Sequence, residues 1–588
     1  MLGPVFNREA TVVPKRSKTY LMRSVYVLSL FLLLCTGYLV LDGSRSLATL
    51  GNAARFGGWM FTVLAPLQLL VLGALAAVGA ASSVAQEKDR RTLLLLLMTR
   101  LSGFEVVVGK LAATLLTPFS MLVCGLPVFL TLPLMGGVSP QQVFGVFAVT
   151  AATIFLAGAA GTVVALWREK TFQAIALTVL LLLTYLVLGE ALYATKFLPD
   201  AVALVLSPPR ALFAVASPLA SLSVQSALSV LTFTVVTVAL SIGVLALGVV
   251  KIRVWNPSRE LRMKAPEPET SEEAESVEPG SWKVRAPRRV WNNPILWREM
   301  RTWAYGRKVV IIRLAFVSLF AVVAAAILMQ IQSGVAYEPA GRIGRALPAT
   351  TIPVAAIGVI SLVLVNALAV NSVTGERDGL ALDLLLVTDL RPSEFVFGKL
   401  LGVMYVAKEM ILLPLLLIVY LAAQEVLTVE NAVYAILGGL MLYTFAVMLG
   451  IHSGLNHVAG RTATLASLGT VFFLCVGIAI CMTIMVSFRG AFQLQLPPFL
   501  VMILGGGAAL FASLGWRNPS SAIFFASFAL PSITFYAITQ FLLQTDHLMV
   551  VFPLVVGYGF TTAAMMIPAL SEFDVSLEKD RSTSGGAA

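Results

Sequence analysis

The sequence predicts an all-α polytopic membrane protein: two parallel-repeat six-span units plus a C-terminal helix pair, about 14 transmembrane helices in all. Three observations predict it. Apolar residues fill 58% of the 588 positions and charged residues only 12%, about half of what a soluble surface needs. Stretches free of Asp, Glu, Lys and Arg recur, most of them near the roughly 20 residues that cross a bilayer as a helix. A charged segment also recurs at a constant offset in the two halves of the chain. Backbone groups in lipid must be satisfied within the protein, so such runs are helices. The same composition excludes soluble, disordered, collagen-like and disulfide-framework classes.

The net charge of +11 raises nucleic-acid binding as one reading. In a membrane protein, Lys and Arg gather in cytoplasmic loops, and no nucleic-acid partner is needed to explain the excess. Cys35, Cys124, Cys475 and Cys481 all sit in apolar runs without metal-ligand spacing, so they read as small buried hydrophobes. Arg8, Lys15, Arg16, Lys18 and Arg23 precede the first apolar run, and many more runs follow, a pattern unlike a signal peptide.

In the first unit (residues 1–250), spans are expected at 24–41, 59–86, two within 111–167, 171–189 and 211–250. The 111–167 run is too long for one helix and breaks at 133–142, where Gly136, Gly137 and Pro140 favour an outside turn. Residues 190–221 carry Glu190, Lys196, Asp200, Pro208, Pro209 and Arg210. They form an outer loop that either stays outside or dips back into the bilayer. Residues 251–292 change character: 266–280 holds six Glu and almost no aliphatic residue, which reads as a disordered cytoplasmic linker. The second unit (293–515) offers spans at 314–337, 346–373, 400–424, 431–456, 462–488 and 498–516. An extra helix pair is expected in 516–571, as 518–545 and 547–571, before a polar cytoplasmic tail at 572–588. With both termini and the linker inside, inner segments hold 33 Lys and Arg and outer segments 7, Lys408 lying at a span. That asymmetry fixes the orientation, and the expected location is a cell membrane, as a multi-pass protein.

The halves repeat. The octet GPVFNREA at 3–10 aligns with NPILWREM at 293–300, each just ahead of the first span of its unit. Pro4 and Pro294 suit a first helical turn and Asn293 an N-cap. In the second octet and beyond, Leu296, Met300 and Trp303 share one face while Arg298, Arg301 and Lys308 are cationic. Both segments, 3–20 and 293–308, read as amphipathic helices on the inner membrane surface. More sharply, 87–111 aligns with 376–400 without gaps, with 13 of 25 positions identical. The polar identities are Glu87/Glu376, Asp89/Asp378, Thr99/Thr388, Glu105/Glu394 and Lys110/Lys399. Both copies lie inside, between spans two and three. The even span number of the first unit makes this internal duplication parallel, about an axis along the membrane normal.

The physics of this loop suggests docking. Residues 93–98 are an apolar run far too short to span, so they bury against the interface, the protein or a partner. Ser102 and Glu105 then form a capping box. The second copy, with Arg391, Pro392, Ser393 and Glu394, loses the Ser cap but gains Pro at the first helical position. Lys110 and Lys399 mark where each following span begins.

This pattern resembles the membrane subunit of ABC-type exporters of the type-2 permease family. The shared features are an acidic residue, a leucine run, Thr, a helix start with Glu, then Gly-Lys-Leu running into a span. The segments ahead of span one look like that family's elbow helix, and the resemblance covers roughly 3–250 and 293–515. It implies a transport permease of the cell inner membrane, with coupling loops at 87–110 and 376–399 meeting ATPase subunits, two of them, on the cytoplasmic face. The residues implied in ATPase coupling are Glu87, Asp89, Thr99, Ser102, Glu105, Lys110, Glu376, Asp378, Thr388, Glu394 and Lys399. The second copy departs at Gly379, Leu380 and Ala381, where the first has Arg90, Arg91 and Thr92.

No ATP site is expected in the chain. Gly103 and Gly109-Lys110 come near a phosphate loop, but the glycine spacing is one too long and Leu111 replaces the hydroxyl. No catalytic constellation or metal-ligand spacing appears, and no cofactor is implied. His452 and His457 are five apart, poor spacing for one ligand face. Lys408 and Glu409 lie nine and ten residues past Lys399, about 13 Å along a helix for the first. Either they are an intramembrane functional pair, or the helix begins in the cytosol and both snorkel, leaving 410–424 as a short span. Neighbours on a helix do not face each other, so no mutual ion pair is expected. The reading is an exporter permease driven by ATP hydrolysis on another chain, surrounded by membrane lipid, its substrate unspecified. The alternative is an ion-coupled secondary transporter, which would want ionisable residues near the midplane of both halves.

Overall fold

Low-charge segments rich in Leu, Val and Ala leave their backbone no water to bond. The computed structural model satisfies that backbone with α-helices, and no strand occurs among the described residues. The structure describes residues 3–12, 15, 17–42, 50–89, 92–168, 171–194, 199–216, 224–256, 291–301, 309–334, 350–378, 382, 385, 390–457, 459–487, 492–515, 520–542 and 547–585. Most of the linker at 251–292, residues 302–308, Thr388 and most of the loop between 378 and 390 lie outside them.

The first half comprises α1 (Gly3–Val12), α2 (Ser17–Asp42), α3 (Leu50–Asp89), α4 (Thr92–Met98), α5 (Gly103–Met135), α6 (Pro140–Trp167), α7 (Thr171–Ala194), α8 (Asp200–Leu206), α9 (Pro208–Ala216) and α10 (Val224–Trp255). The second comprises α11 (Pro294–Arg301), α12 (Val309–Gln332), α13 (Thr351–Asp378), α14 (Pro392–Val406), α15 (Lys408–Ala423), α16 (Val429–Asn456), α17 (Gly460–Ser487), α18 (Phe492–Leu514), α19 (Ser521–Leu542) and α20 (Leu548–Gly585).

Local chemistry sets the boundaries. Ser139 caps α6, accepting from the Gln142 N–H at 3.3 Å while the Gln142 side chain accepts from the Ser139 N–H at 2.9 Å. The expected turn between α5 and α6 uses Gly136 and Gly137 at φ +88° and +77°, where a side chain would be strained. The segment 3–20 is not one helix: α1 ends at Val12 and α2 begins at Ser17.

Among the described residues, twelve helices are long and apolar enough to cross a membrane. The chain is thus a polytopic all-α membrane protein, with two of the fourteen expected spans taking other forms. The span expected at 400–424 is the pair α14–α15, bent by 62°. The one expected at 498–516 falls in α18, whose apolar stretch at 499–514 is shorter than the rest. The sixth span does not start at 211: residues 208–216 form α9, and α10 starts only at Val224.

Small residues let helices approach closely, which is what drives helix association in lipid. In the first half α6 packs on α3; in the second α16 packs on α13. A Cβ on Gly161 would run into the Ala77 backbone, and one on Gly450 would lie 2.6 Å from the Ala369 Cβ. The halves meet reciprocally: α7 packs against α13, and α17 against α3.

The C-terminal helices sit differently from the expected appended pair. On α6 the outer neighbour is α10; on α16 it is α20, with Phe445 and Tyr558 in edge contact at 5.1 Å. In packing terms α18 and α19 are the additional helices, and α20 stands where α10 stands. A count of apolar runs cannot show this exchange, because it depends on which helix packs where. Helix α20 also continues to Gly585, through residues placed by sequence in a polar tail.

Candidate functional site

The candidate site is the charged end of the bundle, where α3 and α13 finish with Asp89 and Asp378. Lys110 points back from α5 to pair with Glu87 near the end of α3. At the matched positions, Lys399 of α14 donates to Glu376 of α13 at 2.6 Å. Neither lysine reaches out toward a membrane surface: Lys110 is buried and the Lys399 side chain is 1% exposed. Their ammonium groups act inside the protein, tying α5 to α3 in the first half and α14 to α13 in the second.

The short leading helices complete both clusters. Asn293 caps α11, accepting from the Leu296 N–H at 2.9 Å, and its amide donates to the Glu394 carbonyl oxygen at 2.9 Å. Ile295 and Glu299 form the face of α11 that is buried in the protein. Gly402 permits this approach; a Cβ there would lie 2.7 Å from the Glu299 Cβ. Lys399 thus sits between Glu299, at 2.6 Å, and Glu376, and Arg298 pairs with both carboxylates. Lys399 also donates to the Ser372 carbonyl oxygen at 2.9 Å, which satisfies all three of its protons. In the first half Arg8 pairs with Glu9 at 2.7 Å. The Glu9 hydrogen bond and charge raise the Arg8 pKa, with a smaller contribution from Glu87. The same four residue types, Arg, Glu, Glu and Lys, therefore occur at both sites, as two pairs in the first half and as one connected cluster in the second. The second cluster is buried and the first is more open: the Arg8 side chain is 74% exposed.

A second matched contact escaped the sequence comparison because it replaces Lys by Arg. Lys88 donates to the carbonyl oxygens of Leu166 and Arg168 at the end of α6. Arg377 donates to those of Gly454 and His457 at the end of α16. A cation at a helix C-terminus satisfies orphan carbonyls and the negative end of the dipole. A basic-for-basic match at 88 and 377 was the available signal.

The apolar run after α3 becomes α4. Leu93 is 2% exposed and packs inward, whereas Leu95 and Met98 are 65% and 77% exposed. Leu97 is partly buried against the core. Thr99 closes α4, its hydroxyl donating to the Leu96 carbonyl oxygen at 2.6 Å. Ser102 and Glu105 form the expected box: the Glu105 N–H reaches Ser102 Oγ at 3.2 Å and the Ser102 N–H reaches Glu105 Oε2 at 3.0 Å. In the second copy only half remains, the Arg391 N–H donating to Glu394 Oε2 at 3.2 Å, because an arginine side chain cannot accept. Of the matching run, Leu382 is buried and Leu385 packs on the core.

Lys408 and Glu409 do not pair with each other. Lys408 Nζ lies 4.9 Å over the Tyr405 ring, and Glu409 meets Arg313 of α12 at 3.5 Å. Arg313 also donates to the Val406 carbonyl oxygen, which the bend at Ala407 leaves without a helical partner. Seven residues on, Pro414 lacks the N–H that the Met410 carbonyl would accept, and Ser361 Oγ donates to it instead. Arg313 and Ser361 are thus the fittings of a broken helix. His452 is likewise engaged inside the protein, its Nε2 3.0 Å from the Leu514 carbonyl oxygen and 2.9 Å from Asn456 Nδ2.

Above the charged end lies a cavity of about 1420 Å³. Its walls come from both halves, chiefly α3, α5 and α7 on one side and α13 and α17 on the other. Arg461 of α17 bridges the halves at its charged mouth by donating to Gln86 Oε1 of α3.

Compared with known proteins, the chain matches no family model and no curated protein sequence. Fold and site together define a multi-pass α-helical membrane protein with a cavity between two similarly organised halves.

Proposed function

We propose that the chain is the transmembrane permease component of an ATP-driven ABC exporter. It consists of two duplicated units in one chain, lies in the cell inner membrane with both termini cytoplasmic, and works with two separate ATPase subunits. The observation that carries this reading is the matched pair of charged clusters at one end of the bundle. The second joins a leading helix to spans two and three through Lys399, whereas the first ties spans two and three together through Lys110 and stands beside a short helix with exposed apolar residues. Such a helix needs an apolar partner, and the neighbouring clusters form a stiff connection from it into the transmembrane helices.

The mechanism follows from that connection. Closure of the ATPase pair pushes on α4 and on its counterpart near Leu382 and Leu385. The ion pairs Glu87–Lys110 and Glu376–Lys399 keep spans two and three moving together. Spans α3 and α5 line the cavity, so a shift at α4 changes its shape and its access. Hydrolysis itself belongs to the partner chains, since this sequence carries no phosphate-cradling loop. The test is direct: the purified chain alone neither binds nor hydrolyses ATP, and it stimulates turnover by its partner ATPase. Saturable ATP binding by the chain alone overturns the reading.

A further inference from the structure

The cavity between the halves has a chemistry of its own. Its volume of about 1420 Å³ exceeds the roughly 300–1,000 Å³ of pockets for drug-sized ligands. Along α3 it runs from Leu69 to Glu87, about 27 Å at 1.5 Å per residue, well beyond the roughly 15 Å of one lipid leaflet. The lining is apolar over most of this length, with Leu75 and Val78 facing Val363, Leu468 and Phe472 from the other half. Charge is confined to one end, where Arg8, Glu9, Glu87, Lys110 and Arg461 line the wall. Three cations against two carboxylates leave one positive charge in excess among the described residues. The pairing says which: Arg8 is held by Glu9 and Lys110 by Glu87, whereas among the described residues Arg461 donates only to the neutral amide of Gln86. A half-buried guanidinium beside an apolar cavity is stabilised by an anion, and its planar fork suits a carboxylate or phosphate.

We propose that this cavity binds a membrane-soluble amphiphile with one anionic headgroup, the headgroup at Arg461 and its hydrocarbon tail between the two halves. That the amphiphile is the transported cargo rests on the permease reading; that it binds does not. Cationic amphiphiles meet the excess positive charge, and neutral ones gain only the apolar walls.

The probes are 11-(dansylamino)undecanoic acid and its methyl ester, titrated by fluorescence against the full chain in nanodiscs of neutral lipid. The acid is expected to saturate at one per chain, at least tenfold tighter than the ester. Lysophosphatidic acid should displace it, whereas inorganic phosphate should not, which separates a lipid headgroup from a free anion. Arg461→Gln should weaken the acid about tenfold and leave the ester unchanged, with Arg461→Lys restoring most of the difference. Gly79 and Gly469 both line the cavity, and an added Cβ at either meets nothing within 4 Å. Gly79→Trp and Gly469→Trp should start an indole in open space and fill the tail path, abolishing binding of both probes in variants whose folded yield on size-exclusion chromatography is unchanged. Equal affinity for acid and ester in the unmodified chain overturns the proposal. So does an Arg461→Gln variant with unchanged acid affinity, or saturable binding that survives both tryptophans. None of these readouts involves an ATPase, so failure of the permease reading, seen as no ATPase association, is a separate result.

Discussion

Lys399 and Glu299 lie 2.6 Å apart with both side chains 1% exposed, although one hundred positions separate them in the chain. Glu299 Oε2 and Glu376 Oε2 are buried there without a hydrogen-bond partner, so each carboxylate depends on one oxygen. Removing one member of a buried pair leaves an uncompensated charge, at a cost of about 3–5 kcal/mol. Lys399→Met should therefore lower the thermal unfolding temperature of the purified protein markedly. Lys110→Met should lower it less, because the Lys110 and Glu87 side chains are 11% and 19% exposed and water takes over part of the pairing. Equal shifts for the two variants would show that the clusters are energetically alike.

Ser361 and Pro414 should be coupled. Ser361→Ala strips the Met410 carbonyl of its donor, a loss of about 1 kcal/mol in a membrane protein. In a Pro414→Leu background the new N–H can take that carbonyl, so the coupling in a double-mutant cycle should be of the same size. The loss of the Tyr443 bond to Ser361, 2.9 Å long, is common to both backgrounds and cancels. Additive effects would mean that the serine does not serve the proline break.

Helix α4 separates docking from folding. Leu95→Asp and Met98→Asp should leave folded yield unchanged and weaken ATPase association at least tenfold, since both side chains are exposed, Leu95 at the wall of the cavity and Met98 away from it. Leu93→Asp should instead reduce folded yield, and Leu97→Asp belongs with it because Leu97 packs on the core. Size-exclusion chromatography and co-purification with the ATPase give the two readouts. Weakened association with all four variants in proportion to lost fold would remove α4 as a docking element.

Topology provides a further check. Accessible tags at position 275 and at the C-terminus should both report from the cytoplasm. A signal from the other side for either tag would break the parallel relation between the halves.

The sequence made the fold class legible because lipid-facing helices need about 20 apolar residues and little else. Capping chemistry was legible too, since Ser102–Glu105 and Asn293 act within three residues of sequence. What stayed hidden depends on which helix packs where. The apolar run of α20 is longer than that of α18, but length does not say which helix takes the place beside α16 that α10 holds beside α6. The bend at Ala407 was unreadable because its fittings, Arg313 and Ser361, come from other helices. Lys110 and Lys399 were found as matched residues, but their inward direction was not, because a lysine at a helix end can snorkel or turn in with equal ease on sequence grounds. Glu299 was legible as a match to Glu9, but its role was not, because its partner Lys399 lies in α14.

The permease reading is tested most directly at the exposed tip of α4. A photo-crosslinking residue at Met98, and a second at Ser393 beside the start of α14, should each capture one partner in native membranes. That partner should be labelled by azido-ATP, and the crosslink yield should change when ATP is replaced by its trapped transition-state analogue. Capture of no ATP-binding chain at either position, with both sites open to a bulky thiol reagent as cysteines in the same membranes, would contradict it.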